Sequence, residues 1–297
     1  MHRKRPKMTE LLASLSQIGT RYDAVFCDLW GCLHDGKTPF PAAVAALQAY
    51  RAGGGKVILL TNAPRPKSSV ARQLDTMGVP RDAWDDVVTS GDATQYVLFN
   101  GTYSRYAFIG APKDEAFFTD FPDDLKPATL TRVPFEDAEI VICTGLADDM
   151  TETLEDYKLP LMRAKNAGLT MLCANPDIIV DYGDKRLYCA GALAEAYEKL
   201  GGKTQYFGKP HPPVYDLARR RLGLLIPKSD PQILCIGDGI GTDIQGGMAE
   251  GLDTLFVTGG ISAADFGPDS ANPNKHLLDK WLTSRQMSAT FAIPKLQ

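Results

Sequence analysis

The chain has 297 residues, of which 44% are hydrophobic and 23% are charged, ordinary values for a globular protein with a sizeable core. At about 150 residues per domain, this length predicts two domains. The formal net charge of −4 excludes a global basic field that would recruit nucleic acid or an anionic membrane surface. No apolar run approaches the roughly 20 residues that a membrane-spanning helix needs.

The N-terminal region and the cysteines predict a cytoplasmic protein. The basic start MHRKRPK is expected to be a solvated tail, and the apolar spacing of residues 9–20 predicts a helix rather than a signal peptide. None of the six cysteines forms a CxxC pair, and several lie in strand-like apolar runs. This pattern favours reduced, buried thiols.

Short apolar runs alternate with helical patterns along the chain. Runs of this length are typical of strands buried on both faces, as in a parallel sheet. The predicted strands are residues 24–27, 57–60, 233–236 and 255–257, and the helix candidates are 41–52, 67–77, 213–222 and 243–250. The alternation predicts an α/β protein with a doubly wound, Rossmann-like parallel sheet.

The middle of the chain predicts a second α/β unit. Its strands are expected at residues 107–109, 139–143 and 169–173, its clearest helix at 151–167, and an exposed connection at 120–127. We place an inserted cap domain at residues 92–190. The core is then discontinuous and consists of residues 1–91 and 191–297.

Polar residues follow three of the predicted strands, at the sheet edge where open α/β proteins bind ligands. Asp28 follows the first strand, Thr61 and Asn62 follow the second, and Asp238 follows the third. A fourth polar element, centred on Lys209, precedes a predicted helix. We expect these side chains to form a binding site.

The charges of these residues indicate which ligand they bind. Asp28 and Asp238 approach one another if their strands are neighbours, and two unpaired carboxylates that share a site repel. Mg²⁺ removes this conflict, because it binds through one or two carboxylates together with substrate phosphate. Lys209 adds a positive charge, and Thr61 and Asn62 add neutral donors, so the set suits a phosphoryl group in transfer. We expect the Asp28 and Asp238 carboxylates to lie within reach of one cation.

Each element alone also has a structural interpretation. An aspartate after a strand often caps a helix, Thr-Asn is common turn chemistry, and Lys-Pro often starts a helix in solvent; the four together favour a site.

The glycines at positions 237, 239 and 241 also suggest a dinucleotide-binding loop. That motif requires glycine at position 242, where this chain has threonine, and Asp238 would direct negative charge at a pyrophosphate.

The four elements together resemble the motifs of the haloacid dehalogenase superfamily of aspartate-nucleophile phosphotransferases. Within it, the chain resembles the NagD-like subfamily, in which an α/β cap is inserted between the second and third motifs. The resemblance covers nearly the whole chain after the first twenty residues. The segments that carry it are Asp28-Leu-Trp-Gly-Cys-Leu, Leu60-Thr61-Asn62, Gly208-Lys209-Pro210, Gly237-Asp238 with Thr242-Asp243, and, in the insertion, Ala174-Asn175-Pro176-Asp177 and Ala190-Gly191-Ala192-Leu193.

The resemblance implies a role for each motif residue. Asp28 attacks phosphorus and forms an aspartyl-phosphate. Asp28, Asp238 and the backbone carbonyl of Trp30 bind Mg²⁺, and Asp243 supports the metal site directly or through water. Thr61 and Lys209 hold and neutralise the phosphate, and Asn62 orients the loop or the substrate. The cap closes over the site, excludes water and selects the leaving group.

One residue departs from the family pattern. The family's phosphatases usually carry a second aspartate two residues after the nucleophile, where it protonates the leaving group and then activates water. This chain has Trp30 there, and an indole N–H does not titrate. General acid–base catalysis contributes about 10²–10⁴-fold to rate. His34 and Asp35 are the nearest substitutes in sequence, and a solvated turn is their structural interpretation.

The sequence therefore supports three functional hypotheses. The first is a Mg²⁺-dependent phosphatase of small phosphorylated metabolites, such as a sugar phosphate. The second is a catalytically weak or inactive protein that binds such a metabolite and acts through a partner, and Trp30 motivates it. The third is other aspartyl-phosphate chemistry, such as phosphotransfer or phosphonate cleavage. Substrate identity and oligomeric state stay open, a homo-oligomer included.

Overall fold

The computed structural model describes residues 9–182 and 185–297. Two large sheets dominate the fold. The first sheet has seven strands in the order β1-β14-β13-β12-β2-β3-β4, and the second has five in the order β11-β8-β7-β5-β6. β9 and β10 form a separate antiparallel pair. The strands are β1 (Glu10–Leu11), β2 (Ala24–Cys27), β3 (Lys56–Thr61), β4 (Asp86–Thr89), β5 (Arg105–Ile109), β6 (Thr131–Arg132), β7 (Ile140–Cys143), β8 (Thr170–Cys173), β9 (Ile179–Tyr182), β10 (Lys185–Tyr188), β11 (Lys203–Tyr206), β12 (Ile233–Gly237), β13 (Asp253–Val257) and β14 (Phe291–Ile293).

Helices connect the strands, as a parallel sheet requires. They are α1 (Pro41–Ala52), α2 (Lys67–Met77), α3 (Ser90–Asn100), α4 (Lys158–Asn166), α5 (Ala190–Lys199), α6 (Pro212–Leu225), α7 (Gln245–Ala249) and α8 (Lys275–Ser284). The pairs of the first sheet from β1 to β3 and all pairs of the second sheet are parallel. The predicted α/β class with a doubly wound parallel sheet is confirmed.

The chain divides into two compact units. The first contains the described residues up to Leu60 together with Gln73–Val87 and Tyr215–Gln297, and the second contains Thr61–Arg72 and the described part of Val88–Val214. Each unit has a buried apolar cluster of its own, which in the first is built around Phe256 and Phe266 and in the second around Met171 and Tyr197. The cap boundaries at residues 92 and 190 stay a prediction, because compactness alone does not define an inserted domain.

An ion pair attaches α1 to the start of β3 in the first unit. The Nε and Nη2 groups of Arg51 donate to the two carboxylate oxygens of Asp85 at 2.9 and 2.7 Å, and the Val57 N–H donates to the same carboxylate at 2.8 Å. Burial raises the pKa of Asp85, but the hydrogen bonds from Arg51 and Val57 outweigh it and hold the pKa below its usual value. The carboxylate is therefore ionised at neutral pH. Its hydrogen bond from Val57 fixes the start of β3, the strand that ends at Thr61.

The structure corrects two helix predictions. Residues 151–167 form a 3₁₀ turn, Leu154–Tyr157, followed by α4. Because Pro160 has no N–H, it is accepted only in the first turn of a helix, and α4 starts at Lys158. The helix predicted at residues 243–250 is the short α7, and a π-helical turn, Ile240–Ile244, precedes it, so Asp243 lies in the turn rather than in the α-helix.

The predicted helix at residues 9–20 is also wrong. Glu10 and Leu11 pair with Phe291 and Ala292 of β14, and two 3₁₀ turns follow. The apolar spacing in this segment instead buries Leu12, Leu15 and Ile18. The basic tail MHRKRPK lies outside the described residues.

Two further expectations concern the cysteines and the membrane. All six cysteines are free and buried, as predicted. In the part of the chain that the structure describes, no helix combines the length and the apolar character needed to cross a bilayer.

Candidate active site

Asp28 lies at the carboxyl end of β2, in the middle of the seven-stranded sheet. Its N–H continues the strand pairing by donating to the Ile236 carbonyl at 2.9 Å, and the Leu29 N–H donates to its Oδ1 atom at 2.7 Å. The Cys27 thiol donates to the Asp28 carbonyl at 3.3 Å. These contacts fix both the backbone and the carboxylate of the predicted nucleophile.

Asp238 follows β12, the parallel neighbour of β2. The register of this pair places Ile236 opposite Cys27. Cys27 directly precedes Asp28, and Ile236 lies two residues before Asp238. One carboxylate oxygen of Asp28, one of Asp238 and the Cys32 sulfur all lie within 4.8 Å of one another. The predicted approach of the two carboxylates is confirmed.

Glycines make room for the Asp238 carboxylate. A Cβ atom on Gly31 or on Gly260 would collide with its Oδ2 atom, and Gly31 has a φ of +73° that L side chains rarely adopt. The Ile261 N–H donates to Oδ2 at 2.9 Å. The backbone on both sides of Asp238 therefore holds its side chain in one position.

Asp243 is buried in the π-helical turn, with 4% of its surface exposed. Its Oδ2 atom accepts from the Gly239 N–H at 3.3 Å and from the Thr242 hydroxyl at 3.1 Å. A Cβ atom on Gly237 would collide with this carboxylate. Asp243 thus braces the segment that carries Asp238, and its predicted part in binding a metal stays a prediction.

The Asp28 and Asp238 pair fits a hard divalent cation. Two carboxylates at this separation repel when both are ionised, and oxygen donors of this kind are the ligands that Mg²⁺ prefers. Mg²⁺ completes its shell with waters and substrate phosphate, so two protein carboxylates suffice. The Trp30 carbonyl belongs to the same loop, and its predicted ligation stays a prediction.

The Trp30 side chain packs within the loop that follows Asp28. Its indole lies against Gly36, where a Cβ atom would collide with the ring, and its edge meets the His34 ring at a centroid distance of 5.5 Å. A tryptophan at this position therefore has a packing role in the loop.

Neither sequence neighbour is suited to replace the missing acid. Burial lowers the pKa of His34 to about 4, although Asp35 acts in the opposite direction, so the imidazole is neutral near pH 7. Its Nδ1 atom accepts from the Gly36 N–H at 3.0 Å. The Asp35 carboxylate accepts from the Thr38 and Lys37 N–H groups, which lower its pKa. Both side chains stabilise the turn. The predicted solvated turn is confirmed for the exposed Asp35 and is wrong for His34, which is buried.

The three predicted phosphate-binding residues belong to the second compact unit. Thr61 ends β3 and is buried, and its hydroxyl accepts from the Ala63 N–H at 3.2 Å. The Asn62 carboxamide joins the Lys209 segment in both directions, since Oδ1 accepts from the Lys209 N–H at 2.7 Å and Nδ2 donates to the Lys209 carbonyl at 3.1 Å. Lys209 itself is 2% exposed. Asn62 therefore joins the segment after β3 to the Lys209 backbone, and its predicted role in orienting the loop or the substrate stays a prediction.

Sequence reasoning did not single out Cys32 and Asp177. Cys32 lies inside the quoted first motif, but nothing in the linear pattern shows that its side chain points at the carboxylates. Asp177 lies in a quoted cap segment, and its Oδ1 atom accepts from Asn62 Nδ2 at 2.8 Å. A contact between residues 115 positions apart leaves no local signal in one sequence.

The fold and the carboxylate pair define the class of this protein. Models of haloacid dehalogenase-like hydrolases match residues 25–121 and 206–281. A crystal structure of a haloacid dehalogenase-like hydrolase from Brucella suis 1330 is 40% identical and covers 97% of this chain and 100% of its own, with a TM-score of 0.81. The chain belongs to the haloacid dehalogenase-like hydrolase family.

Particular relatives indicate the branch of the family. The ribonucleotide monophosphatase NagD of Escherichia coli K12 is 29% identical over 81% of this chain and 89% of its own length. A crystal structure of the glycerol phosphate phosphatase of Mycobacterium tuberculosis in complex with magnesium is 26% identical, covers 87% of this chain and 74% of its own, and has a TM-score of 0.65. These similarities place the chain in the NagD-like group.

Proposed function

We propose that this protein is a Mg²⁺-dependent phosphohydrolase that cleaves small phosphomonoesters, such as a sugar phosphate, through an aspartyl-phosphate on Asp28. The observation that carries the proposal is the convergence of the Asp28 and Asp238 carboxylates within 4.8 Å at the ends of adjacent parallel strands. The phosphatase names of the relatives support it, as does the magnesium in the mycobacterial structure.

In this mechanism, a carboxylate oxygen of Asp28 attacks phosphorus while the ester oxygen departs with the electron pair of the P–O bond. The Leu29 N–H bond to Oδ1 holds the carboxylate in one rotamer. Lys209 and Thr61 bind the phosphoryl oxygens, and the lysine offsets their negative charge. Mg²⁺, when bound, supplies Lewis-acid stabilisation of the same oxygens. Water then attacks the aspartyl-phosphate, releases inorganic phosphate and regenerates Asp28.

The metabolite class and the cellular setting form part of the same proposal. The negative net charge disfavours nucleic acid and anionic membranes as partners. The six free thiols favour the cytoplasm, where thiols stay reduced. A small phosphorylated metabolite is therefore the proposed ligand, and a cap at residues 92–190 is proposed to select it.

A second candidate is a nearly inactive protein that binds a phosphorylated metabolite. The observation that favours it is Trp30, whose indole packs against Gly36 and His34 at the position where the family resemblance implies an acid. A binding protein needs Lys209 and Thr61 but no proton donor. The two candidates differ in turnover and not in ligand class.

A panel of phosphorylated metabolites tests the first candidate. We expect phosphate release from at least one sugar, glycerol or nucleoside monophosphate with Mg²⁺, and no release with EDTA. Asp28→Asn is the matched control, because asparagine is nearly isosteric but is not a competent nucleophile. We expect it to lower turnover by at least about 10³-fold while circular dichroism stays unchanged. Wild-type turnover by a folded Asp28→Asn variant would rule out the covalent mechanism.

A further inference from the structure

Cys32 places a sulfur donor beside the two carboxylates. Its side chain is 1% exposed, and its Sγ atom lies within 4.8 Å of a carboxylate oxygen of Asp28 and of Asp238. In the described part of the chain, the thiol has no hydrogen-bond partner. It is a buried polar group directed at the carboxylates, and no step of the proposed reaction uses it.

The spacing of the three atoms is close to what one thiophilic cation requires. Zn²⁺ binds thiolate sulfur at about 2.3 Å and carboxylate oxygen at about 2.0–2.2 Å, so two ligand atoms of one tetrahedral ion lie about 3.5 Å apart. The three atoms lie within 4.8 Å of one another, so the pair that is farthest apart has to approach by at most about 1.3 Å. A small rotation about a side-chain bond closes such a gap.

The donor set distinguishes hard from soft cations. Mg²⁺ takes oxygen ligands and leaves a thiol outside its shell, whereas Zn²⁺ and Cd²⁺ bind thiolate strongly. Two carboxylates alone bind a soft cation only weakly. With Cys32 added, the same three residues form a three-ligand site that leaves one position for water or substrate.

We propose that Asp28, Cys32 and Asp238 form a binding site for a thiophilic divalent cation, Zn²⁺ in the cell, which competes with Mg²⁺. On binding, the Cys32 S–H bond breaks, its proton passes to solvent, and a sulfur–metal bond forms. The cation then holds the Asp28 carboxylate as a ligand and prevents its attack on phosphorus. This inference rests on the proposed function only in taking Asp28 and Asp238 as the Mg²⁺ ligands.

Cd²⁺ is the spectroscopic probe, because a thiolate–cadmium bond gives an ultraviolet charge-transfer band that does not depend on activity. We expect wild-type protein titrated with CdCl₂ to develop this band, and excess MgCl₂ to reduce it. Cys32→Ser and Cys32→Ala should lose the band and bind Cd²⁺ at least about tenfold more weakly, since even the loss of an indirect partner of a ligand costs 10–100-fold. Cys189→Ser is the matched control, because Cys189 is also a buried free thiol, and it should keep the band.

A second titration with ZnCl₂, followed by competition with a chromogenic chelator, gives the affinity for the physiological cation. This Zn²⁺ affinity should weaken in both Cys32 variants and stay unchanged in Cys189→Ser. An unchanged band and unchanged Zn²⁺ affinity in folded Cys32 variants would overturn the inference, as would a band that MgCl₂ does not affect. A Cys32-dependent band in a protein without phosphatase activity would sustain this inference and count against the proposed function instead.

Discussion

At the scale of single residues, Trp30 decides how well the proposed reaction runs. An indole cannot protonate a departing alkoxide, and neither neighbour replaces it, since His34 is neutral near pH 7 and Asp35 is occupied by turn hydrogen bonds. Esters with good leaving groups need no proton to depart. The tryptophan therefore predicts that turnover depends steeply on the pKa of the leaving group.

Introducing an acid at this position tests that interpretation. We expect Trp30→Asp to raise the turnover of a sugar phosphate by about tenfold or more, within the 10²–10⁴-fold that general acid–base catalysis contributes. The turnover of p-nitrophenyl phosphate should rise less. Steady-state and burst kinetics with both esters measure the effect.

Trp30→Asn is the control, because it leaves the same cavity against Gly36 but offers no titratable group. Equal gains in the two variants would show that the cavity, and not the carboxylate, changes the rate. Fast hydrolysis of a sugar phosphate by the unmodified chain would contradict the interpretation of Trp30.

At the scale of elements, the segment after β3 and the segment before α6 are joined by one side chain. Asn62 makes three hydrogen bonds that link it to Lys209 and Asp177. Gly208 accommodates this contact, since a Cβ atom there would collide with Asn62 Oδ1. The position of Lys209 therefore depends on the Asn62 carboxamide.

Removing that carboxamide should affect both stability and phosphate binding. Asn62→Ala leaves the Lys209 N–H without its acceptor, and an unpaired buried polar group costs about 1–3 kcal/mol. We expect the free energy of unfolding in urea to fall by this amount and the affinity for inorganic phosphate to weaken. Asn166→Ala replaces an exposed asparagine and should change stability by less than about 0.5 kcal/mol. Unchanged phosphate affinity in Asn62→Ala would show that Lys209 does not need this support.

At the scale of the whole molecule, the proposed metal binding is expected to be linked to folding. A cation that binds only the folded protein stabilises it by about 2.7 kcal/mol at 100 times its dissociation constant. The Asp28 and Asp238 carboxylates lie close together, and two carboxylates that are both ionised at this separation repel. The stability of the chain should therefore depend on Mg²⁺.

Thermal unfolding with MgCl₂ and with EDTA measures this linkage. We expect Mg²⁺ to raise the Tm of the wild type by several degrees, since about 1 kcal/mol corresponds to 2–4 °C in chains of 150–250 residues. Asp28→Asn should respond much less, because it lacks one of the two carboxylates. Asp230→Asn, at an exposed position, should respond like the wild type. An equal response in Asp28→Asn would argue against Asp28 as a metal ligand.

The sequence by itself determined the architecture and predicted the residues of the candidate site. Apolar runs such as residues 24–27 have to be buried on both faces, and polar residues directly after them mark the binding edge of a parallel sheet. Periodicity also placed α1 and α2, whose bounds agree with the prediction. These signals are local, so one sequence is enough to read them.

Only the tertiary structure decided which side chains meet across the chain. The pairing of β1 with β14 joins residues 10 and 291, and no pattern within residues 9–20 distinguishes it from a helix. In the same way, the parallel pairing of β2 with β12 brings Asp238 to Asp28, and the positive φ of Gly31 turns the chain so that Cys32 faces both. Contacts of this kind depend on strand order and backbone direction, which are set by the packing of the whole chain and not by any segment of it.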